Sequence, residues 1–472
     1  MVPLLLIAYF LIRLPNLTLL PIFTDETNYL DWGWRAIHAP GHLWYSLYDA
    51  KPPLVMWLFG LSESVVSDPL LAGRLVSVLT GALTLLGLYF LGKKLFSPSV
   101  AVLAPIFYLL SPLFHLYDRQ ALMESALAAV FVWLIYFVDQ PVVSGLLLGL
   151  GLLIKPTALL FFAPFLLIYA LSVLKSKNFG RSILYFLLSI FLALLVTLPM
   201  LLQPIWQKTS SLTGQYLHFP SPVLFANFAT VADILFWFLT PPILIFSLIG
   251  LVKFRRTHWP LIVWVFLPLL IQVLTGKFLI HRYLAPFLPP LLLFAAAAIR
   301  RRFVFFLTLV IPAALVLLQT LNPPDYFRLI DRFTSYSYIG GYVTSEPSGY
   351  NVRQAIDYFS HLAKDQQLTL GIGLFSGNPE AALLVYFRDH PRITVSYLDA
   401  QLFTEDLSQY SCLSYPGPLY LATRDANAVG LLKFMEPVTV LTHPYGDSKI
   451  YVFRPKSNCT GKSLDLGLTI KP

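Results

Sequence analysis

Charge is scarce in this chain. Only 12% of its 472 residues are Asp, Glu, Lys or Arg, about half the share of an ordinary soluble domain. With 57% hydrophobic residues and a mean hydropathy of +0.69, this scarcity excludes a soluble globular protein and implies many membrane spans. Cysteine is scarcer still: Cys412 and Cys459 are the only two. Disulfides persist in oxidising compartments, so a bridge between them and two unpaired thiols both stay open. The N-terminus lacks the basic region and the small-residue cleavage site of a secretory leader and reads as an uncleaved first span. There is no Gly-rich phosphate loop, since Gly371-Ile372-Gly373 is too short for one. No HxxxH or HxH spacing, internal repeat or low-complexity tract occurs. The net charge of +9 does not point to nucleic acid, because its clusters sit in short loops between apolar runs, where they orient a protein in a bilayer.

A span needs about 20 apolar residues. The candidates are Val2–Leu20, Pro69–Leu91, Ser99–Phe114, Glu124–Val138, Val143–Leu153, Thr157–Leu174, Ile183–Leu202, Ile234–Val252, Pro260–Leu274, Leu284–Ile299 and Phe303–Leu321, about eleven in all. Pro53–Val66 is apolar but flanked by Glu63 and Asp68, and reads as an interfacial helix. Lys93 and Lys94, then Lys175, Lys177 and Arg181, then Lys253, Arg255 and Arg256, then Arg300 to Arg302 all fall in loops on one side. The positive-inside rule makes that side cytoplasmic. The expected fold is a polytopic α-helical membrane domain over 1–321, with a long first outer loop at 21–68. An extracytoplasmic α/β domain follows over 322–472, because short β-rich runs there alternate with helical stretches and imply a partly parallel sheet.

The outer face collects the residues able to do chemistry. Asp25 and Glu26 stand side by side where the first apolar run ends. They can accept a proton from a hydroxyl, hold a metal, or cap a helix through its dipole. Neighbouring helical residues point about 100° apart, so one acid can face a cavity while the other makes structural bonds. Desolvation is expected to raise the pKa of an acid facing a membrane cavity. Lys51, Arg74, Arg119, Lys155, Lys277 and Arg282 lie near span ends on the same side. Such cations suit a phosphate, or simply snorkel to the interface. Asp118 and Arg119 read as a structural pair, and Glu124, opening an apolar run, as a costlier and more suspicious acid. The many Trp and Tyr of the first outer loop, Tyr29 among them, serve equally as an interfacial belt or as sugar-stacking surfaces.

The ordered set Phe23-Thr24-Asp25-Glu26-Thr27-Asn28-Tyr29, Lys51-Pro52-Pro53-Leu54, Ala72-Gly73-Arg74-Leu75, Arg119 to Glu124, Leu153-Ile154-Lys155-Pro156 and Arg282-Tyr283-Leu284-Ala285-Pro286 resembles protein O-mannosyltransferase-like membrane glycosyltransferases (glycosyltransferase family 39) and the bacterial aminoarabinose transferases of lipid A. The resemblance runs over roughly residues 1–300. It implies the GT-C fold, residence in the cell membrane, and transfer of a sugar from a polyprenyl-phosphate carrier to a protein, lipid or glycan hydroxyl outside the cytosol, with inversion. It further implies Asp25 at the acceptor hydroxyl with Glu26 in support. Lys51, Arg119, Arg282, Arg74 and Lys155 are implied near the carrier phosphate, with Tyr29, Glu124 and Tyr283 as further site residues. Some relatives carry an acid before the Lys-Pro pair, where a metal has been placed; this chain has Ala50, so no metal is assigned, although a divalent ion stays open. The competing classes are a transporter or flippase of lipid-linked sugars and a surface-polysaccharide polymerase or ligase. Paired broken helices in two matching halves would favour transport, and the sequence has none.

Overall fold

In the computed structural model the described residues are 1–175, 179–214, 217–253, 258–334, 337–373, 377–397, 412–414, 417–424, 433–456 and 463–465. Lys177, Arg255, Arg256 and Cys459 lie outside them. Prolines punctuate the apolar runs and shorten them. The first run folds as α1 (Val2–Arg13) and stops short of the expected Leu20. After it come α2 (Thr24–His38), α3 (Leu54–Glu63) and the long α4 (Pro69–Leu95). The run 99–114 is not one span: Ser111-Pro112 splits it into α5 (Pro98–Leu110) and α6 (Pro112–Tyr117), because proline supplies no amide and restrains the residue before it. The next two helices, α7 (Glu124–Tyr136) and α8 (Pro141–Ile154), form a tight hairpin.

Farther on, Leu224–Phe238 and Pro241–Val252 meet at a 110° bend where one straight span was expected. The run 284–299 is helical as a long piece only from Leu291 to Ala298, after Pro289-Pro290. Among the described residues three helices are long and apolar enough to cross a membrane, Pro69–Leu95, Gly180–Leu201 and Arg302–Leu321, or four if the bent pair is one span. The expected count of about eleven spans thus corresponds largely to shorter apolar helices.

Buried charge staples this bundle. Arg13, wholly inaccessible at the end of α1, donates through Nε to Asp118 at 3.0 Å and through Nη1 to the Leu109 carbonyl at 2.8 Å, with Nη1 also 3.0 Å from His115 Nδ1. Asp118 also accepts from the Tyr108 hydroxyl at 2.8 Å. Its partner is therefore Arg13 and not Arg119 as the sequence suggested. A buried charge is tolerated only when paired and hydrogen-bonded, and this one fixes α1 against α5 and α6. Helices α2 and α3 touch through Gly33 and Gly60, where a Cβ on Gly33 would lie 2.9 Å from the Gly60 amide nitrogen.

Beyond residue 321 the chain forms the expected α/β unit. Its strands are β1 (Leu368–Ile372), β2 (Ile393–Tyr397), β3 (Cys412–Ser414), β4 (Leu419–Thr423), β5 (Met435–Thr442), β6 (Lys449–Pro455) and β7 (Ser463–Asp465). The main sheet has the order β2-β1-β4-β6-β5. Its β2-β1-β4 part is parallel and its β4-β6-β5 part antiparallel. Helices Tyr350–Leu362 and Glu380–Phe387 accompany it. Parallel pairing requires crossovers, and Glu380–Phe387 supplies the one between β1 and β2. Cys412 is disulfide-bonded.

Candidate active site

The adjacent acids part company at the first turn of α2. Glu26 points inward and is wholly buried. Its carboxylate accepts from the Phe23 amide (2.9 Å), the Ala121 amide (2.7 Å), and Nε and a terminal nitrogen of Arg74 (2.8 and 2.6 Å). The bond to Phe23 is the reciprocal half of a helix cap. Arg74 is equally committed: its remaining donors reach the carbonyls of Leu17, Leu20 and Pro21 at 2.7, 2.7 and 3.1 Å. A guanidinium has five N–H donors, and all five are engaged. Arg74 does not snorkel, and neither it nor Glu26 has a group left to offer a substrate. Arg119 turns its two terminal nitrogens to the chain turn after α1, donating to the carbonyls of Arg13, Pro15 and Asn16 at 3.0, 2.7 and 2.8 Å. These three residues, expected in catalysis or phosphate binding, hold the segment that leads into α2.

Asp25 faces the other way, with 28% of its side chain exposed, and is ion-paired with Arg282. Arg282 rides on the one-turn helix His281–Leu284, which the following prolines interrupt. The charges of Lys51 and Lys155 act on the same carboxylate. Burial pushes the Asp25 carboxyl up, but Arg282 by charge and hydrogen bond, then Lys51 and Lys155, pull it below the usual range. The sequence expectation of a raised pKa is thereby reversed, since an opposite charge in contact outweighs partial desolvation.

Around this pair the remaining residues close in. Lys155 leaves α8 in extended conformation because Pro156 follows it, and its Nζ donates to Glu124 Oε1 at 2.6 Å. Glu124 opens α7, so the α7–α8 hairpin brings both to one level. Two cations lie over the ring of Tyr283, with Lys155 Nζ at 5.1 Å and the Arg282 guanidinium carbon at 5.6 Å from its centroid. Tyr29, buried on α2, has Asp25, Arg282 and Glu124 as charged neighbours, and burial followed by the Asp25 charge raises its phenol pKa. Lys51 keeps 27% of its side chain exposed and leans on Asp49 at 3.6 Å; like Lys155 it precedes a proline. Within this cluster two buried polar atoms, Arg282 Nε and Glu124 Oε2, have no protein partner. An unmet buried donor beside clustered cations fits an anionic group.

Sequence reasoning missed the aromatic box behind Arg282. His281 hydrogen-bonds the Tyr117 hydroxyl and stacks on Tyr338 (centroids 4.5 Å apart) and Tyr342 (5.7 Å). Burial, with help from Arg282, pushes the imidazole down to about 3, which keeps it neutral within the stack. The only hint in the sequence was the adjacency of His281 to Arg282. Among the described residues no group of His, Cys, Asp or Glu could hold a metal ion. At the position where relatives carry an acid, Ala50 offers no ligand and Asp49 points to Lys51, so the residues present do not fit a metal there.

The family model described as dolichyl-phosphate-mannose-protein mannosyltransferase matches residues 50–203. No curated protein sequence matches. Among solved structures, the apo crystal structure of ArnT from Cupriavidus metallidurans is similar, with TM-score 0.61 at 15% identity over 96% of each chain. The same protein bound to undecaprenyl phosphate gives 0.60 at 14% identity over 98% of each chain. The apo oligosaccharyltransferase of Archaeoglobus fulgidus gives 0.45 at 12% identity, over 83% of this chain and 64% of that one. The ArnT likeness carries the fold over nearly the whole length, and the family match falls on the stretch holding Lys51, Glu124 and Lys155. Residues 50–203 thus match the dolichyl-phosphate-mannose-protein mannosyltransferase model, and the chain as a whole shares the fold of ArnT.

Proposed function

We propose that this protein transfers a sugar from a polyprenyl-phosphate carrier to a hydroxyl acceptor on the outer face of the membrane, with inversion. One observation carries the reading: a carboxylate, Asp25, is held by a guanidinium, Arg282, that keeps a further buried donor unpartnered, with Lys51 and Lys155 flanking the same carboxylate. A lipid-linked sugar phosphate brings a leaving group that needs cations and an acceptor hydroxyl that needs a base. The acceptor oxygen attacks the anomeric carbon from the face opposite the phosphate. The bond from that carbon to the phosphate oxygen breaks, the electron pair leaves with the carrier phosphate, and the acceptor proton passes to Asp25.

The ion pair gives this chemistry an order. While Arg282 holds Asp25, the carboxylate is a poor base because its pKa is depressed. A carrier phosphate drawing on Arg282 loosens that hold and lets the carboxylate pKa rise, so the base strengthens as the donor arrives. Lys51 and Lys155 add point charges to the developing phosphate, Glu124 holds Lys155 in place, and the ring of Tyr283 packs against Lys155 and Arg282. Placing the site and the domain after residue 321 on the outer face rests on the basic loops that mark the opposite side. Transport draws support from the 110° break before Pro241, but such folds use two broken helices in matching repeats, and a single bent pair occurs among the described residues.

The test is incubation of the purified protein in lipid nanodiscs with a panel of labelled polyprenyl-phosphate sugars and hydroxyl acceptors. Free carrier phosphate should appear in step with sugar on acceptor, and Asp25→Asn should stop both while the protein still folds. Movement of intact donor across a sealed vesicle without bond cleavage would refute the assignment.

A further inference from the structure

The helix that carries Asp25 is not held by the membrane part alone. From the far side of the sequence, the loop between β1 and helix Glu380–Phe387 closes on its first turn. Asn378, with 1% of its surface exposed, donates through Nδ2 to the carbonyls of Ile22 (3.1 Å) and Pro347 (3.2 Å). Its Oδ1 accepts from the Thr27 hydroxyl at 3.0 Å. The neighbouring Gly377 amide donates to Asn28 Oδ1 at 3.0 Å. Gly377 stands at φ +86, where a Cβ would come within 2.6 Å of the Thr24 methyl, so only glycine allows this approach. Residues 22, 24, 27 and 28 are thus gripped on both sides of Asp25, by groups more than 300 positions away.

The other half of the ion pair is held from the same region. Tyr338 and Tyr342 stack on His281, the residue before Arg282. Tyr342 also stacks on Phe23, the residue before Thr24, with centroids 5.2 Å apart, and on Phe327 at 4.8 Å. One ring therefore touches His281, next to Arg282, and Phe23, two residues before Asp25.

We propose that Asn378 is a positioning residue for Asp25 and that Tyr338, Tyr342 and Asn378 make the C-terminal region an integral part of the transfer site. The inference rests on the function proposed above. The membrane helices alone supply the Glu26–Arg74 anchor behind α2, and Asn378 fixes the rotation of the first turn that aims Asp25 at Arg282. A positioning group of this kind acts on the reacting geometry rather than on the affinity for the carrier, since a misplacement of about 1 Å costs about 100-fold in rate.

Asn378→Ala and Thr27→Val each delete the bond between the two side chains, the second with almost no change of shape. Thr27→Ser keeps the hydroxyl. In nanodiscs, with a donor on which the wild type turns over, both deletions should lower kcat about 10- to 100-fold. The donor KM and the binding of undecaprenyl phosphate alone should stay within about 2-fold, because Lys51, Lys155 and Arg282 are untouched. Thr27→Ser should turn over like the wild type. The proposal is overturned if Thr27→Val is as fast as the wild type, or if kcat and carrier binding fall together, which marks mere loss of structure. Should Asn378→Ala not fold, Thr27→Val against Thr27→Ser decides. Active Asp25→Asn would sink the catalytic reading itself; inactive Asp25→Asn beside fully active Thr27→Val would sink only the positioning role.

Discussion

Glu26→Gln should unfold this protein rather than merely silence it. The substitution keeps shape and volume but exchanges a carboxylate oxygen for an amide NH2. In the native site four donors point at that carboxylate over 2.6–2.9 Å. The glutamine oxygen can satisfy those on one side, while its NH2 meets donors on the other. Two charge-assisted bonds are lost at about 1.5–3 kcal/mol each. The Arg74 guanidinium, 1% exposed, is left as an uncompensated buried charge. Breaking such a pair costs about 3–5 kcal/mol, a large part of the roughly 5–15 kcal/mol that holds a domain together.

The assay is thermal unfolding in detergent beside transfer activity per folded molecule, with Asp25→Asn as the paired control. Glu26→Gln should melt far below the wild type, and Asp25→Asn close to it. Glu26→Gln combined with Arg74→Gln should cost less than the sum of the single changes, because each alone strands its partner. A Glu26→Gln protein with wild-type stability and no transfer would refute the reasoning and return Glu26 to the chemistry.

Lys51→Ala should weaken use of the donor, seen as a raised donor KM; an unchanged value would remove Lys51 from the phosphate site. Lys155→Met should strand the Glu124 carboxylate, and Lys155→Met/Glu124→Gln should restore stability but not activity, measured by melting and by kcat. Burial pushes the Glu63 carboxyl from 4.5 up to about 8 despite Arg388 at 2.9 Å. Because the folded value is the higher one, this group's contribution is present below about pH 4.5 and is lost as the pH rises through about 8. Melting temperature should therefore decline across that window, and Glu63→Gln should flatten the decline.

Much of this site was legible in the sequence because acids and cations stand out in an apolar chain. Asp25, Lys51, Glu124, Lys155, Arg282, Tyr29 and Tyr283 converge, and the rotation of adjacent helical residues already implied that Asp25 and Glu26 would divide their tasks. Which acid faced which way was not legible, because it depends on Arg74 arriving from α4. Arg119 and Arg74 looked like ligands for phosphate since a lone cation near a span end gives no sign of the backbone carbonyls that will use it. The breaks within the apolar runs were missed for a related reason: hydropathy does not register the prolines that stop and turn a helix. The parallel sheet was readable from alternating elements, whereas the grip of Asn378 on Thr27 joins residues whose partnership leaves no local pattern.

The α7–α8 hairpin has a consequence for the surrounding bilayer. These helices have 13 and 14 residues, which at 1.5 Å per residue gives about 20 Å of length, against about 30 Å of hydrocarbon. Lys94 binds the far end of α7 through the Tyr136 carbonyl at 2.7 Å, so that end belongs with the basic loops at one membrane surface. Glu124 and Lys155 at the opposite ends then stand about 10 Å short of the other surface. Both side chains face the protein interior and pair with each other, which is how a bundle tolerates charge at that depth. Under the function and orientation proposed above, the candidate site lies at the floor of a notch in the outer leaflet, which a carrier lipid enters sideways, its headgroup sinking while its chain stays in oil.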